Sequence, residues 1–303
     1  MYITSAPHIK RDDSVAKIMW SVNLALVPAL AASVYFFGLR ALMVTAVAVI
    51  SCIIFEHLSS LLMKRKSTIS DGSACVTGIL LAFNLPVTIP FGMVAIGSFV
   101  AIAIVKMAFG GLGCNVFNPA LVGRAFLLAS YPVAMTNWVI PHSVDAITSP
   151  TPLAIVKHGF SNALPSYWDM FIGNRGGCLG ETSIIMLLIG GAFLLYRKVI
   201  TWHVPVTFIG SVALIYWIFG GTHSFSGDPL FGVMSGGVVL GALFMATDMV
   251  TGPLTTKGKL LFGCGIGIIT CLIRFKGNYP EGVSYAILMM NLLVPIIDRY
   301  IKR

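Results

Sequence analysis

Apolar residues fall in ten runs of about 13 to 23 positions, separated by short polar or glycine- and proline-bearing breaks. Five runs cover residues 18–37, 41–63, 73–85, 87–105 and 118–130; five more cover 182–196, 204–219, 230–247, 259–273 and 283–301. An unbroken apolar run near 20 residues long spans a bilayer as a helix rather than sitting half-buried as a strand. The pattern therefore predicts an all-α integral membrane protein with about ten transmembrane helices. Its breaks are chemically marked. Lys64-Arg65-Lys66 closes the second run, Asp71-Gly72 and Pro86 bound the third, and Asn118-Pro119 opens the fifth with a helix-start signal. One long polar segment, residues 131–181, divides the chain into a first membrane half (1–130) and a second (182–303).

Composition agrees: 57% of the 303 residues are hydrophobic and 10% charged, against about 25% charged in an ordinary soluble domain. Residues 1–14 are polar, with no apolar core of a removable signal. Ten spans put both termini on one side, which the positive-inside rule assigns to the cytoplasm. That face then collects fourteen cations (Lys10, Arg11, Lys17, Lys64, Arg65, Lys66, Lys106, Arg197, Lys198, Lys257, Lys259, Arg299, Lys302 and Arg303). The outer face collects five (Arg40, Lys157, Arg175, Arg274 and Lys276), and Arg124 falls inside the fifth run. The net charge of +9 is thus explained by topology and a lipid bilayer, without nucleic acid. The segment 131–181 is expected outside.

The two halves echo each other. Ile104-Val105-Lys106, a glycine turn and Asn118-Pro119 parallel Leu272-Ile273-Arg274, Gly277 and Pro280: a cation ends one run and proline opens the next. Five is odd, so two five-helix repeats would be inverted relative to each other, with a site expected near short or broken helices. The third and fifth runs are short, and the eighth is glycine-rich.

Acids are few, so each one narrows the chemistry. Glu56 lies inside the second run, where a carboxylate either serves an ion path or reaches the nearby Lys64 cluster. Asp71, Asp248 and Glu281 stand at helix ends, suited to capping, to a cationic partner or to ion binding; Asp248 is the second candidate for an ion path. In Gly110-Gly111-Leu112-Gly113-Cys114-Asn115-Val116-Phe117-Asn118-Pro119, glycines allow close backbone approach to a flat ligand. Asn115 and Asn118 there either bond the edge of a heteroaromatic ring or cap helix ends. Arg124, further along the same helix, requires a polar or anionic partner. The six cysteines form no metal-site spacing, and the six histidines join no nucleophile motif. An inverted-repeat transporter or channel without redox chemistry fits these features too.

Several stretches together carry a resemblance: Ser70-Asp71-Gly72-Ser73-Ala74, Phe109-Gly110-Gly111-Leu112-Gly113 with Asn118-Pro119-Ala120, and Gly123-Arg124-Ala125-Phe126-Leu127. Gly177-Cys178-Leu179-Gly180-Glu181-Thr182-Ser183, Phe244-Met245-Ala246-Thr247-Asp248 and Tyr279-Pro280-Glu281-Gly282 extend it over nearly the whole chain. The sequence resembles the D subunits of Rnf ion-translocating electron-transport complexes, which are similar to the B subunits of Na⁺-translocating NADH:quinone reductases. The resemblance implies a bacterial inner-membrane protein that couples electron transfer between ferredoxin and NAD to Na⁺ or H⁺ translocation, with the A, B, C, E and G subunits of an Rnf complex as partners. It also implies FMN esterified through its phosphate to a threonine by a flavin transferase. Asp145, Thr148 and Thr151 occupy the matching motif positions, with Thr151 as the attachment site; Ser149-Pro150 stands where the motif has Gly-Ala. A second, noncovalent riboflavin is expected beside Asn115 and Asn118, with Arg124 as a further contact.

Overall fold

The computed structural model describes residues 14–65, 68–139, 141, 150–157, 164–221, 223, 225–277 and 281–301. Its regular elements are helical, and each begins or ends for a local reason. Ser14 caps α1 (Val15–Phe37) by accepting the Lys17 N–H at 3.2 Å, and Gly38, at φ 71°, separates it from α2 (Leu39–Leu62). A left-handed Gly72 leads into α3 (Ser73–Phe83), where Asp71 accepts the Ser73 N–H at 2.8 Å. α4 (Phe91–Phe99) widens into a π-helical turn over Val100–Met107. Asn118 caps α5 (Pro119–Ser130) by accepting from Ala120 and Leu121 at 3.1 and 3.4 Å. That is the start signal expected from Asn118-Pro119.

Short helices α6 (Pro132–Met135), α7 (Pro152–Lys157) and α8 (Tyr167–Ile172) occupy the central segment. The second half holds α9 (Ile184–Tyr196), α10 (His203–Phe219), α11 (Pro229–Met234) and α12 (Val238–Leu240), the last continuing as a π-helical turn over Gly241–Met245. It closes with α13 (Thr256–Lys276) and α14 (Val283–Tyr300).

By length and composition, α1, α2, α13 and α14 can each cross a membrane; α3, α4 with its π turn, α5, α9 and α10 are shorter apolar helices. The outward side chains are apolar as well: Leu24 and Val27 on α1, Ile50 and Leu61 on α2, Leu272 on α13 and Leu292 on α14 are all exposed. A helix apolar on both its packed and its outward faces is at home in lipid, where the outward face gains rather than loses by exposure. The chain is a membrane protein.

The eighth apolar run differs from a plain span. Ser235-Gly236-Gly237 interrupts it, with Gly236 at φ 63°. The carbonyls left open at that break are met by two buried guanidiniums. Arg274 donates to Gly232 O at 2.7 Å and Ser235 O at 2.9 Å, while Arg175 donates to Met234 O and, at 2.7 Å, to Glu181 O. A helix broken at membrane depth needs such internal partners. Both arginines are 5% exposed, so these two cations serve the fold instead of marking the outer surface.

Packing is close because small residues sit at the crossings. On α3, a Cβ at Gly78 would lie 2.7 Å from Val49 Cα on α2; on α9, one at Gly190 would lie 2.1 Å from Ala25 O on α1. α2 packs against α3 and α4, α10 against α11 and α13, α1 against α9, and α5 against α14.

Candidate functional site

The N-terminal ends of α3 and α5, the C-terminal end of α9 and the loop after the second π turn surround a cleft. Its free interior volume is about 90 Å³, and it opens to the outside at its mouth. Leu80, Leu112, Leu194, Leu243 and Phe244 supply apolar walls; Asn115, Asn118, Lys106, Thr247 and Asp248 supply the polar edge. The two asparagines are brought together as their spacing anticipated, but their atoms are unequally free. Asn118 spends its oxygen on the α5 cap and its amide on Met245 O at 3.4 Å. Asn115 donates to Phe117 O at 3.1 Å, while its buried Oδ1 has no hydrogen-bond partner among the described residues. An orphaned buried acceptor is costly and marks where a donor belongs. The apolar walls and that acceptor at the rim are the lining chemistry that would suit a flat ligand carrying an N–H, such as an isoalloxazine.

Asp248 borders the cleft and turns the chain there: it accepts from Val250 N at 3.2 Å and Thr251 Oγ1 at 3.0 Å. Burial of its surroundings pushes the carboxyl pKa up, and those two hydrogen bonds oppose the shift.

Among the described residues, Glu56 is bound by Lys106 and Thr68 and by neither Lys64 nor Arg65. Lys106 donates to its Oε2 at 2.6 Å and to Ser73 Oγ at 2.6 Å, and Thr68 donates to its other oxygen. Glu56 and Lys106 are 0% and 1% exposed. Lys106 therefore leaves the group of interface cations in which the sequence placed it. The π turn ending α4 rotates its side chain into the bundle, where a buried carboxylate compensates it.

Arg124 stands apart from the cleft. It pairs with Glu281, donates to Asn84 Oδ1 at 2.9 Å and Ser284 Oγ at 2.8 Å, and lies 3.7 Å from Glu181 and 3.6 Å from Cys178 Sγ. This knot ties α3, α5 and α14 to the segment before α9. Cys178, Glu181 and Glu281 are ligand types within 4.8 Å of one another, and the Arg124 guanidinium rests against both carboxylates. Glu181 and Cys178 were not singled out for this role in the sequence; only Gly-Glu-Thr-Ser directly before an apolar run hinted at them. Outside the spans, burial lowers the Arg175 pKa to about 10, with Glu181 opposing and Arg274 reinforcing the shift.

Thr151 lies on the other side of the molecule from the cleft. Its neighbour Leu153 packs near Gly236 and Arg274, at the C-terminal end of α13, whereas the cleft wall at Val250 precedes the N-terminal end. With 21 residues in α13, the two places are roughly 30 Å apart along that helix. Thr151 is 5% exposed, and its Oγ1 accepts from Ala154 N at 3.3 Å to cap α7. Esterification of that hydroxyl would replace only its proton and leave the accepting oxygen in place, so the side chain's chemistry is compatible with a phosphoester. Asp145 and Thr148 lie outside the described residues.

Residues 2–303 match the family model described as "NQR2, RnfD, RnfE family". The chain is 51% identical to the D subunit of a proton-translocating ferredoxin:NAD(+) oxidoreductase complex from Clostridium ljungdahlii, covering 98% of this chain and 93% of that one. It is 47% identical to the Na(+)-translocating counterpart from Acetobacterium woodii, covering 99% and 93%. The D subunit of an ion-translocating oxidoreductase complex from Escherichia coli is 35% identical, covering 99% and 96%. Matched from end to end by both the family model and these relatives, the chain belongs to the NQR2, RnfD, RnfE family.

Proposed function

We propose that this chain is the flavin-carrying membrane subunit of a complex that couples electron transfer between ferredoxin and NAD⁺ to Na⁺ or H⁺ translocation. The observation that carries the reading is the end-to-end similarity to two proteins whose names state that reaction. Those two names differ in the ion, at 51% and 47% identity, so overall likeness leaves the ion open. The other members of an Rnf complex (A, B, C, E and G) are the partners, and a flavin transferase matures the chain. It resides in a bacterial inner membrane with both termini in the cytoplasm.

In this reading the apolar runs make ten spans in two inverted five-helix repeats. The packing supports it. The pairs α2–α3 and α2–α4 recur as α10–α11 and α10–α13, while α1 meets α9 and α5 meets α14, each helix facing its own counterpart. Thr151 then holds FMN outside, and the cleft at Asn115 and Asn118 holds riboflavin near the inner face. Bound flavin supplies a ring that takes one or two electrons and so joins one-electron to two-electron carriers. The protein's residues hold the rings at the two ends: the Thr151 oxygen anchors one against loss, and the leucine walls and Asn115 Oδ1 position the other and exclude water.

The test is fluorescence of the purified chain in a denaturing gel. A flavin band that disappears in Thr151→Ala is expected. A dark wild-type band would contradict the attachment and favour a carrier without redox chemistry, whereas a band unchanged in Thr151→Ala would put the covalent flavin on another residue.

A further inference from the structure

Glu56 drew attention as a carboxylate at membrane depth, yet both its oxygens are engaged, by Lys106 and Thr68. Lys106 is the more informative partner. An ammonium has three donors, and two of them are used, on Glu56 and Ser73. Lys106 also lines the cleft, whereas Glu56 does not. The pair is thus a dipole buried in a low-dielectric wall, with its positive end at the cleft and its negative end behind. Stability alone is a poor reason for such a pair, because apolar replacements of buried ion pairs are often neutral or stabilising. The lysine also sits on a π-helical turn, a distortion that frequently accompanies functional positions. The other charged group on the cleft wall is Asp248, which opposes Lys106 from the loop after the second π turn.

We propose that Lys106 is a positioning residue of the cleft: its ammonium faces the bound flavin and favours the electron-rich, reduced ring, while Glu56 fixes Lys106 in place and damps its charge. This rests on the reading of the cleft as a flavin site. The electrons are those that the complex's own donors supply, so the pair changes the ring's potential without itself gaining or losing electrons. It also gives Glu56 a role in setting that potential instead of carrying ions.

The experiment uses the purified chain with its flavins. Noncovalent flavin is released by acid and quantified, and the midpoint potential of the cleft flavin is followed in an anaerobic titration. Lys106→Met is expected to retain flavin roughly tenfold less tightly, the equivalent of one charged hydrogen bond, or to hold it at a lower potential. Lys106→Arg should restore both, and Glu56→Gln should shift the potential upward by removing the damping charge. Shifts of opposite sign are what a purely structural pair would not produce. Wild-type stoichiometry and potential in Lys106→Met, or shifts of the same sign in Lys106→Met and Glu56→Gln, overturn the proposal. Should Lys106→Met fail to assemble, as judged by size exclusion, Lys106→Arg and Glu56→Gln decide it by the same criterion: an unmoved or lowered potential in Glu56→Gln overturns it. Absence of any noncovalent flavin from the wild-type chain overturns the cleft reading itself, a result distinct from these.

Discussion

At the residue scale, two buried charge clusters among the described residues, around Lys106 and around Arg124, organise the polar chemistry, and they should respond differently to mutation. Arg124 has five described partners, so Glu281→Ala leaves a buried guanidinium partly uncompensated. Breaking one side of such a pair costs about 3–5 kcal/mol. Thermal unfolding in detergent should show a clear loss of stability for Glu281→Ala, and the double variant Arg124→Met/Glu281→Ala should recover part of it. A double variant no better than the single one would mean that Glu281 acts independently of Arg124. The sequence displayed each of these residues as an oddity within or beside an apolar run. It could not display the pairings: Glu56 and Lys106 are 50 positions apart, and Arg124 and Glu281 are 157 apart. Burial cost makes a lone charge conspicuous, but only the fold says which charge answers it. Asn118 shows the converse, because its cap needs only the next three residues and was legible locally.

At the element scale, hydrophobic run length anticipated the helices well. The run 73–85 became Ser73–Phe83, and 118–130 became Pro119–Ser130. The eighth run was the exception, because Ser235-Gly236-Gly237 is apolar enough to pass as one span. Its break is sustained by Arg175 and Arg274, which lie elsewhere in the chain. Glycines separate into two kinds by what surrounds them. Gly78→Val should push α3 away from Val49 and destabilise by about 1–3 kcal/mol, the usual cost of overpacking. Gly210→Ala, on α10, meets nothing within 4 Å and should be neutral or stabilising by up to about 1 kcal/mol. Melting temperatures of the two purified variants check the contrast; equal losses would contradict the packing described for α3.

At the scale of the whole molecule, the proposed function calls for two flavin sites at opposite ends of a bundle of inverted halves. In a background lacking the exposed Cys114 and Cys264, a cysteine replacing Val156 should react with an impermeant maleimide from outside the cell. One replacing Lys198 should react only after permeabilisation; the reverse pattern would turn the molecule over. Charge counting supports this orientation even after Lys106, Arg175 and Arg274 are set aside as buried, since thirteen of the remaining sixteen partitioned cations fall on the cytoplasmic side. The central claim is that Thr151 bears the outer flavin, and mass spectrometry of proteolytic peptides tests it most directly. The peptide containing Thr151 should carry FMN less one water, and Thr151→Ala should lose that mass while retaining the inner, noncovalent flavin. An unmodified Thr151 peptide from protein matured with its transferase, or FMN on a different residue, would contradict the account.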